Sequence, residues 1–243
     1  MKNIVIICLL LFYGMSWAQE IHFADIPSTN AIQHYLSETK EFAALFNGKV
    51  ETPYDRPLDN HPYFETNRYV SGTLCYNQVV YSDVLMRFDL YRDVITVSSP
   101  DKPYPIVLQN AMFNYAILNG STITLSVNEN DSKEKFLVLL HNGIFPVVRK
   151  YKVEIISRES DRKLIRSFLI QNKYAIYIDG IPYPVKNKNS ILKLFADRKK
   201  ELNEFAKQHK LNFKEQIEES IIALVNQYER LINVGVDNYM SLP

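Results

Sequence analysis

The side chains with which this chain could do chemistry are five histidines, a group of aspartates, a cysteine and a basic run. His22, His34, His61, His141 and His209 contain no pair at the i, i+4 spacing that sets two ligands on one helix face, so the pattern supports no zinc site. His61 lies in Asn60-His61-Pro62-Tyr63-Phe64, where an imidazole among aromatic rings could line a binding mouth or simply bond the loop backbone. Asn128-Glu129-Asn130-Asp131-Ser132 is rich in oxygen but lacks the glycine and terminal glutamate of a calcium loop, and reads as a hairpin tip. Asp83, Asp89 and Asp93 accompany Arg87 and Arg92, and carboxylates held about 5–9 Å apart can share acid and base work. Alternation offers a plainer reading: Asp83, Leu85, Arg87 and Asp89 share parity along one strand, which puts them on a solvated face.

Nucleophilic catalysis has no better footing. There is no G-x-S-x-G elbow, and a serine, a histidine and an aspartate occur in almost any chain this long. Cys75, in Gly72-Thr73-Leu74-Cys75-Tyr76, has no basic neighbour to lower its pKa and reads as a small buried thiol on a strand. Seven glycines leave little material for phosphate-cradling loops. Lys186, Lys188, Lys193, Arg198, Lys199 and Lys200 could meet a phosphate or an anionic headgroup, but Glu215, Glu218 and Glu219 follow, so a charge-compensated solvated face is expected. No catalytic residue, metal or cofactor is therefore expected.

These residues must be positioned by elements that the pattern also announces. The chain begins with Lys2, an apolar run over 4–15 and Ser16-Trp17-Ala18 before Gln19, the order of a secretory signal peptide cut after Ala18. The run is shorter than the roughly 20 residues of a bilayer span, and no later stretch approaches that length. Without Lys2 the chain carries 27 basic and 27 acidic side chains, which argues against nucleic acid as a partner. Cys8 falls inside the leader, so Cys75 has no disulfide partner and burial must hold the fold.

Past the leader, 19–243 reads as one globular domain. Residues 29–47 keep a helical stripe that Gly48 ends, and the prolines and aspartates of 52–65 mark a connecting loop. From 69 to 186 short β-branched and aromatic runs recur with turn signals between them, which means antiparallel sheet. Asn119-Gly120 and Asn142-Gly143 should both be tight hairpin turns, Asp179-Gly180 should turn the chain, and Gln171-Asn172-Lys173 should separate two strands. Residues 189–232 read as two or three amphipathic helices, the last opened by an Asn212 and Glu215 capping pair. The expected fold class is α+β: an antiparallel sheet of about eight to ten strands, as a sandwich or half-barrel, between an N-terminal helix and C-terminal helices.

Leu45-Phe46-Asn47-Gly48-Lys49, His61-Pro62-Tyr63-Phe64, 72–77 and 81–89, with the helical ending around Leu192-Lys193-Leu194-Phe195, resemble a group of uncharacterised secreted proteins of Bacteroidetes. The resemblance implies an envelope location, the periplasm or the periplasmic face of the outer membrane, and no activity. His61, Tyr63, Phe64, Tyr76 and Tyr81 are the residues expected to offer a binding surface. The functions left are a non-catalytic envelope module contacting another protein, a carrier of a lipid or apolar molecule on a concave sheet face, or a hydrolase with a dispersed site.

Overall fold

The computed structural model describes residues 45–54, 58–98, 104–126, 135–160 and 163–240, with side chains of the final helix through 232. The expected leader (1–18) and nearly all of the expected helix (29–47) lie outside them. Eleven strands form one antiparallel sheet: β1 Lys49–Val50, β2 Val70–Tyr76, β3 Val79–Asp89, β4 Val94–Val97, β5 Ile106–Val107, β6 Phe113–Leu118, β7 Ser121–Ser126, β8 Lys135–His141, β9 Val147–Ser160, β10 Lys163–Ile178 and β11 Ile181–Val185. Their order is β1-β5-β4-β3-β2-β6-β7-β8-β9-β10-β11. Three helices follow, α1 Lys188–Leu194, α2 Lys199–Gln208 and α3 Ile217–Met240, so the α+β class holds. The sheet is single and open rather than two stacked sheets, and β1 and β5, of two residues each, take it past the expected strand number.

Three hairpins are tight because their two central residues take the left-handed conformation that matches strand twist. Asn119-Gly120 (φ 50° and 75°) and Asp179-Gly180 (φ 50° and 75°) do so as their sequences predict. Asn77-Gln78 (φ 51° and 64°), joining β2 to β3, does so without glycine. Asn142-Gly143 is not a tight turn: five residues separate β8 from β9, and the pairing shifts register between Leu139 and His141. Here the glycine is needed for space, since a Cβ at Gly143 would collide with the His141 imidazole and the Glu229 carboxylate. Glu229, reaching down from α3, accepts from the Phe145 amide (2.9 Å) and bonds His141 Nε2 (3.2 Å). Gly143→Ala is expected to cost about 1–3 kcal/mol, the range for overpacking; urea unfolding checks it, and an unchanged midpoint would show that His141 and Glu229 move aside freely.

Gln171-Asn172-Lys173 does not divide two strands either. β10 runs unbroken for 16 residues against the 14 of β9, from Lys163↔Ser160 to Ile176↔Val147. Among the described residues, neighbouring strands reach only the ends nearest the sheet, β8 on Val147–Arg149 and β11 on Tyr174–Ile178. The rest is a two-stranded ribbon with one exposed face, that of Lys152, Glu154 and Ile156, and one on which Tyr151, Val153 and Phe168 turn inward, so exposed polar residues sit mid-strand without breaking it. Pro182 and Pro184 lie on the sheet's edge strand β11, where each removes an amide that another strand could use.

The sheet curls so that rings from distant strands meet. Phe88 of β3 lies 5.3 Å from Phe136 of β8 and 6.4 Å from Tyr151 of β9, centroid to centroid, and Phe113 is 4.9 Å from Phe136. Phe64, 2% exposed, fills the centre from the proline-rich loop. A second core forms where Ile191, Leu192, Phe195, Leu202, Ile221, Leu224 and Val225 of the helices cover Val147, Tyr174, Ile176 and Val185. α1 opens with a reciprocal cap between Asn187 and Ser190, and Asn212 accepts from the Lys214 and Glu215 amides in the turn before α3. No helix among the described residues is long and apolar enough to cross a membrane.

Candidate functional site

The residues singled out by sequence do not share one surface. Phe64, Tyr76 and Tyr81 are buried in the core, at 2%, 2% and 5% exposure. His61 stacks on Tyr63 (5.9 Å), and its Nδ1 accepts from the Tyr63 amide (3.3 Å), the local backbone bond open to a loop histidine. Tyr63 in turn lies under the Arg87 guanidinium, 3.7 Å from its ring centroid.

The charged face of β3 is covered at Arg87 and Asp89, while Asp83 and Leu85 stay exposed as alternation suggests. The loop runs back across it: the Leu90 amide bonds Pro62 O, the Phe64 amide bonds Phe88 O, and Tyr63 bridges Asp89. Arg87 donates to both Glu51 carboxylate oxygens (3.0 and 2.9 Å) and to Asn67 O, between the Tyr63 and Tyr69 rings. Tyr69 donates to Glu51 (2.7 Å) and shares a bond with Thr96. Asp89, with no exposed surface, accepts from the Tyr54 hydroxyl (2.6 Å) and from the Tyr91 and Arg92 amides. Burial first, then Asp89, pushes the Tyr54 phenol up, so it stays a donor. Arg92 lies over Tyr54 and donates to the Thr52 and Pro53 carbonyls. These groups hold the loop down, and their chemistry is taken up by that task.

The same loop crosses to the ribbon. Asn60 bonds both the amide and the carbonyl of Phe168 (2.7 and 2.9 Å), the Asp59 amide bonds Arg166 O, and Tyr54 and Tyr91 each lie 5.3 Å from the Phe168 ring. The described parts of this loop, 52–54 and 58–65, therefore form an ordered wall rather than a tether.

A cleft of about 700 Å3 opens where β8 and β9 separate. Their pairing ends at Val138↔Arg149. Lys135 and Phe136 of β8, residues 150–153 of β9, residues 90–94 of the β3–β4 turn and Asn110 line the gap. Asp93 is its acid, in left-handed backbone (φ 56°), with a carboxylate accepting from the Phe136 amide (3.3 Å). Burial pushes the Asp93 carboxyl up to about 6, with Lys135 opposing. Burial, then Lys135, pulls the Lys150 ammonium below its ordinary value. Nothing in the sequence marked these residues as neighbours, because they come from three separate strand ends and meet only once the sheet curls.

The raised Asp93 pKa has a consequence for stability. The native state holds this proton more tightly than the unfolded chain, so stability falls as pH rises from about 4 to about 6 and the loss persists above that. Asp93→Asn, which tolerates the same backbone and keeps the acceptor, should remove this pH dependence and stabilise the protein at pH 7 by roughly 1 kcal/mol after solvent screening. Unfolding midpoints of both proteins at pH 4.5 and 7 check it, and parallel pH profiles would contradict it.

Elsewhere the charged groups serve packing. Arg149 donates to Glu218 (2.7 Å), which also accepts from Tyr174 (3.0 Å), tying α3 to the ribbon base. In the basic run, Lys188 donates to Asn203 and Arg198 pairs with Glu201 (3.6 Å). Cys75 is buried, and burial pushes its thiol up. Among the described residues no three His, Cys, Asp or Glu side chains converge as metal ligands would. No known protein family, no curated protein and no solved structure matches this chain.

Proposed function

We propose that the protein is an exported module of the cell envelope that works by contact with another protein rather than by catalysis. The observation that carries the reading is the β9–β10 ribbon, which extends past both flanking strands and presents apolar side chains to water. Ile156, opposite Ser167, has Ile165 and Leu169 each one step away on the same face, and Leu164 near the tip, on the other face, is 71% exposed. Exposed apolar groups on a rigid ribbon rimmed by Lys152, Glu154 and Arg158 have the make-up of a contact surface with a polar border. The leader-like opening residues support export, and the balanced charge of 19–243 favours a protein over a nucleic acid. On this reading 29–47 is a helix ahead of the sheet.

The test places a photo-crosslinking amino acid at Ile156, at Leu169 and, as a control, at the exposed Lys199 of α2, in cells that make the protein. A discrete protein adduct from the two ribbon positions and none from Lys199 is expected; no ribbon adduct, or the same adduct from all three, would remove the support.

A second reading, binding of a lipid or other small apolar ligand, is favoured by the cleft between β8 and β9. The concave face itself is filled by Phe64, Phe88, Phe113 and Phe136, so a ligand would take the cleft rather than the sheet interior.

A further inference from the structure

The cleft where β8 and β9 part holds two kinds of group that the fold itself does not use. The first are ammonium groups. Of the cleft's basic side chains, Arg92 is drawn away to the Thr52 and Pro53 carbonyls, and Lys152 pairs with Glu154 (2.7 Å). Lys135 and Lys150 have no ion-pair partner among the described residues, and they lie close enough for Lys135 to oppose the charge on Lys150. Two like charges facing one partly buried space repel each other, and an anion between them would reverse that.

The second are main-chain groups. Phe168 and Arg166 of β10 turn their polar backbone atoms to Asn60 and Asp59, away from β9. Alternation in the antiparallel pairing then assigns the even positions of β9 to bonds with β10 and turns the backbone of Tyr151 and Val153 toward the cleft. No strand among the described residues pairs with them there. Tyr91, Tyr151 and Val153 line the same space, the last two from the face of β9 opposite to Lys150, so that the gap between the parted strands joins the lysines to apolar residues. At about 700 Å3 it lies within the range of small-molecule sites.

We propose that this cleft binds an amphiphilic monoanion, a carboxylate on an apolar chain, with the carboxylate between Lys135 and Lys150 and the chain along Tyr91, Tyr151 and Val153. The inference rests on the ligand-binding reading above and names its ligand class. A single negative charge suits the site because Asp93 stands beside the two lysines and repels a dianion more than a monoanion.

The pH dependence follows from the groups that face Asp93. Lys135 of β8 and Asp89 at the end of β3 act on it, the Phe136 amide bonds its carboxylate, and Lys150, Lys152 and Tyr151 of β9 line the same cleft. Protonation of Asp93 as pH falls through about 6 removes the negative charge of the only acid among the described lining residues and leaves the lysines to the ligand. Affinity for a carboxylate that stays ionised should therefore rise between pH 7.5 and 5.5.

The test is calorimetric titration of residues 19–243 with decanoate, below its micelle-forming concentration, beside decanol and acetate. Decanoate should bind and both controls should bind far more weakly. Lys135→Gln and Lys150→Gln should each weaken decanoate about tenfold or more, the loss of a charge-assisted bond. Lys150→Arg should retain it, Lys199→Gln should leave it unchanged, and Asp93→Asn should abolish the pH effect. Equal binding of decanol and decanoate, or unchanged affinity in both glutamine variants, would overturn the anion site while leaving an apolar-ligand reading in place. Binding of neither amphiphile would remove both.

Discussion

Replacing Arg87 by methionine is expected to lower the unfolding free energy by about 3–5 kcal/mol, the range for removing one member of a buried ion pair. The side chains of Arg87 and Glu51 are only 15% and 7% exposed, so the substitution strands the Glu51 carboxylate with the Tyr69 hydroxyl as its remaining donor. It also removes the cation from between the Tyr63 and Tyr69 rings. Arg87→Met combined with Glu51→Leu should recover most of the loss, because an apolar pair of similar volume leaves no uncompensated charge. Urea unfolding of both single variants and the double variant closes the cycle. A single-variant loss below about 1 kcal/mol would mean that the pair behaves as a surface one and that the loop does not seal it.

Phe88→Ala should cost a comparable amount, about 3–5 kcal/mol, the range for deleting a buried aromatic side chain. Phe88 is 1% exposed and its ring meets those of Phe64, Phe136 and Tyr151, which arrive from the loop, β8 and β9. The loss should accordingly spread across the curl of the sheet. Hydrogen exchange is expected to rise in β8 and in the β9 segment around Tyr151 as well as in β3. Loss of protection confined to β3 would show that the curvature is held by other contacts.

Much of the architecture was legible because the signals that announce it are local. Asn119-Gly120 and Asp179-Gly180 make tight turns since each pair tolerates left-handed backbone, and the C-terminal helices show their apolar stripes directly. What sequence missed depends on contacts between distant segments. Asn77-Gln78 turns without glycine because β2 and β3 pair on either side of it, and the Asn77 amide bonds Met112 O. Asn142-Gly143 looks like a hairpin turn, but Glu229, far along the chain, takes the space beside Gly143 and sets a longer loop. The covering of Arg87 and Asp89 was invisible for the same reason. Alternation says which side of β3 they occupy, and it cannot say that Tyr54, Tyr63 and Tyr69 will close over that side. The cleft was harder still to foresee, since Asp93, Lys135 and Lys150 belong to separate strand ends and carry no mutual spacing in the sequence.

The polar chemistry of the described residues is largely engaged in holding the loop, the ribbon and α3 together, which leaves the ribbon's exposed apolar side chains without a task in the fold. Native mass spectrometry of the protein, purified gently from the cells that make it, tests that conclusion directly. The account predicts a stoichiometric complex with a second protein that disappears in Ile156→Asp/Leu169→Asp, while that variant keeps the unfolding midpoint of the parent. A bare monomer from the parent protein, or a complex that the double substitution leaves intact, would contradict it.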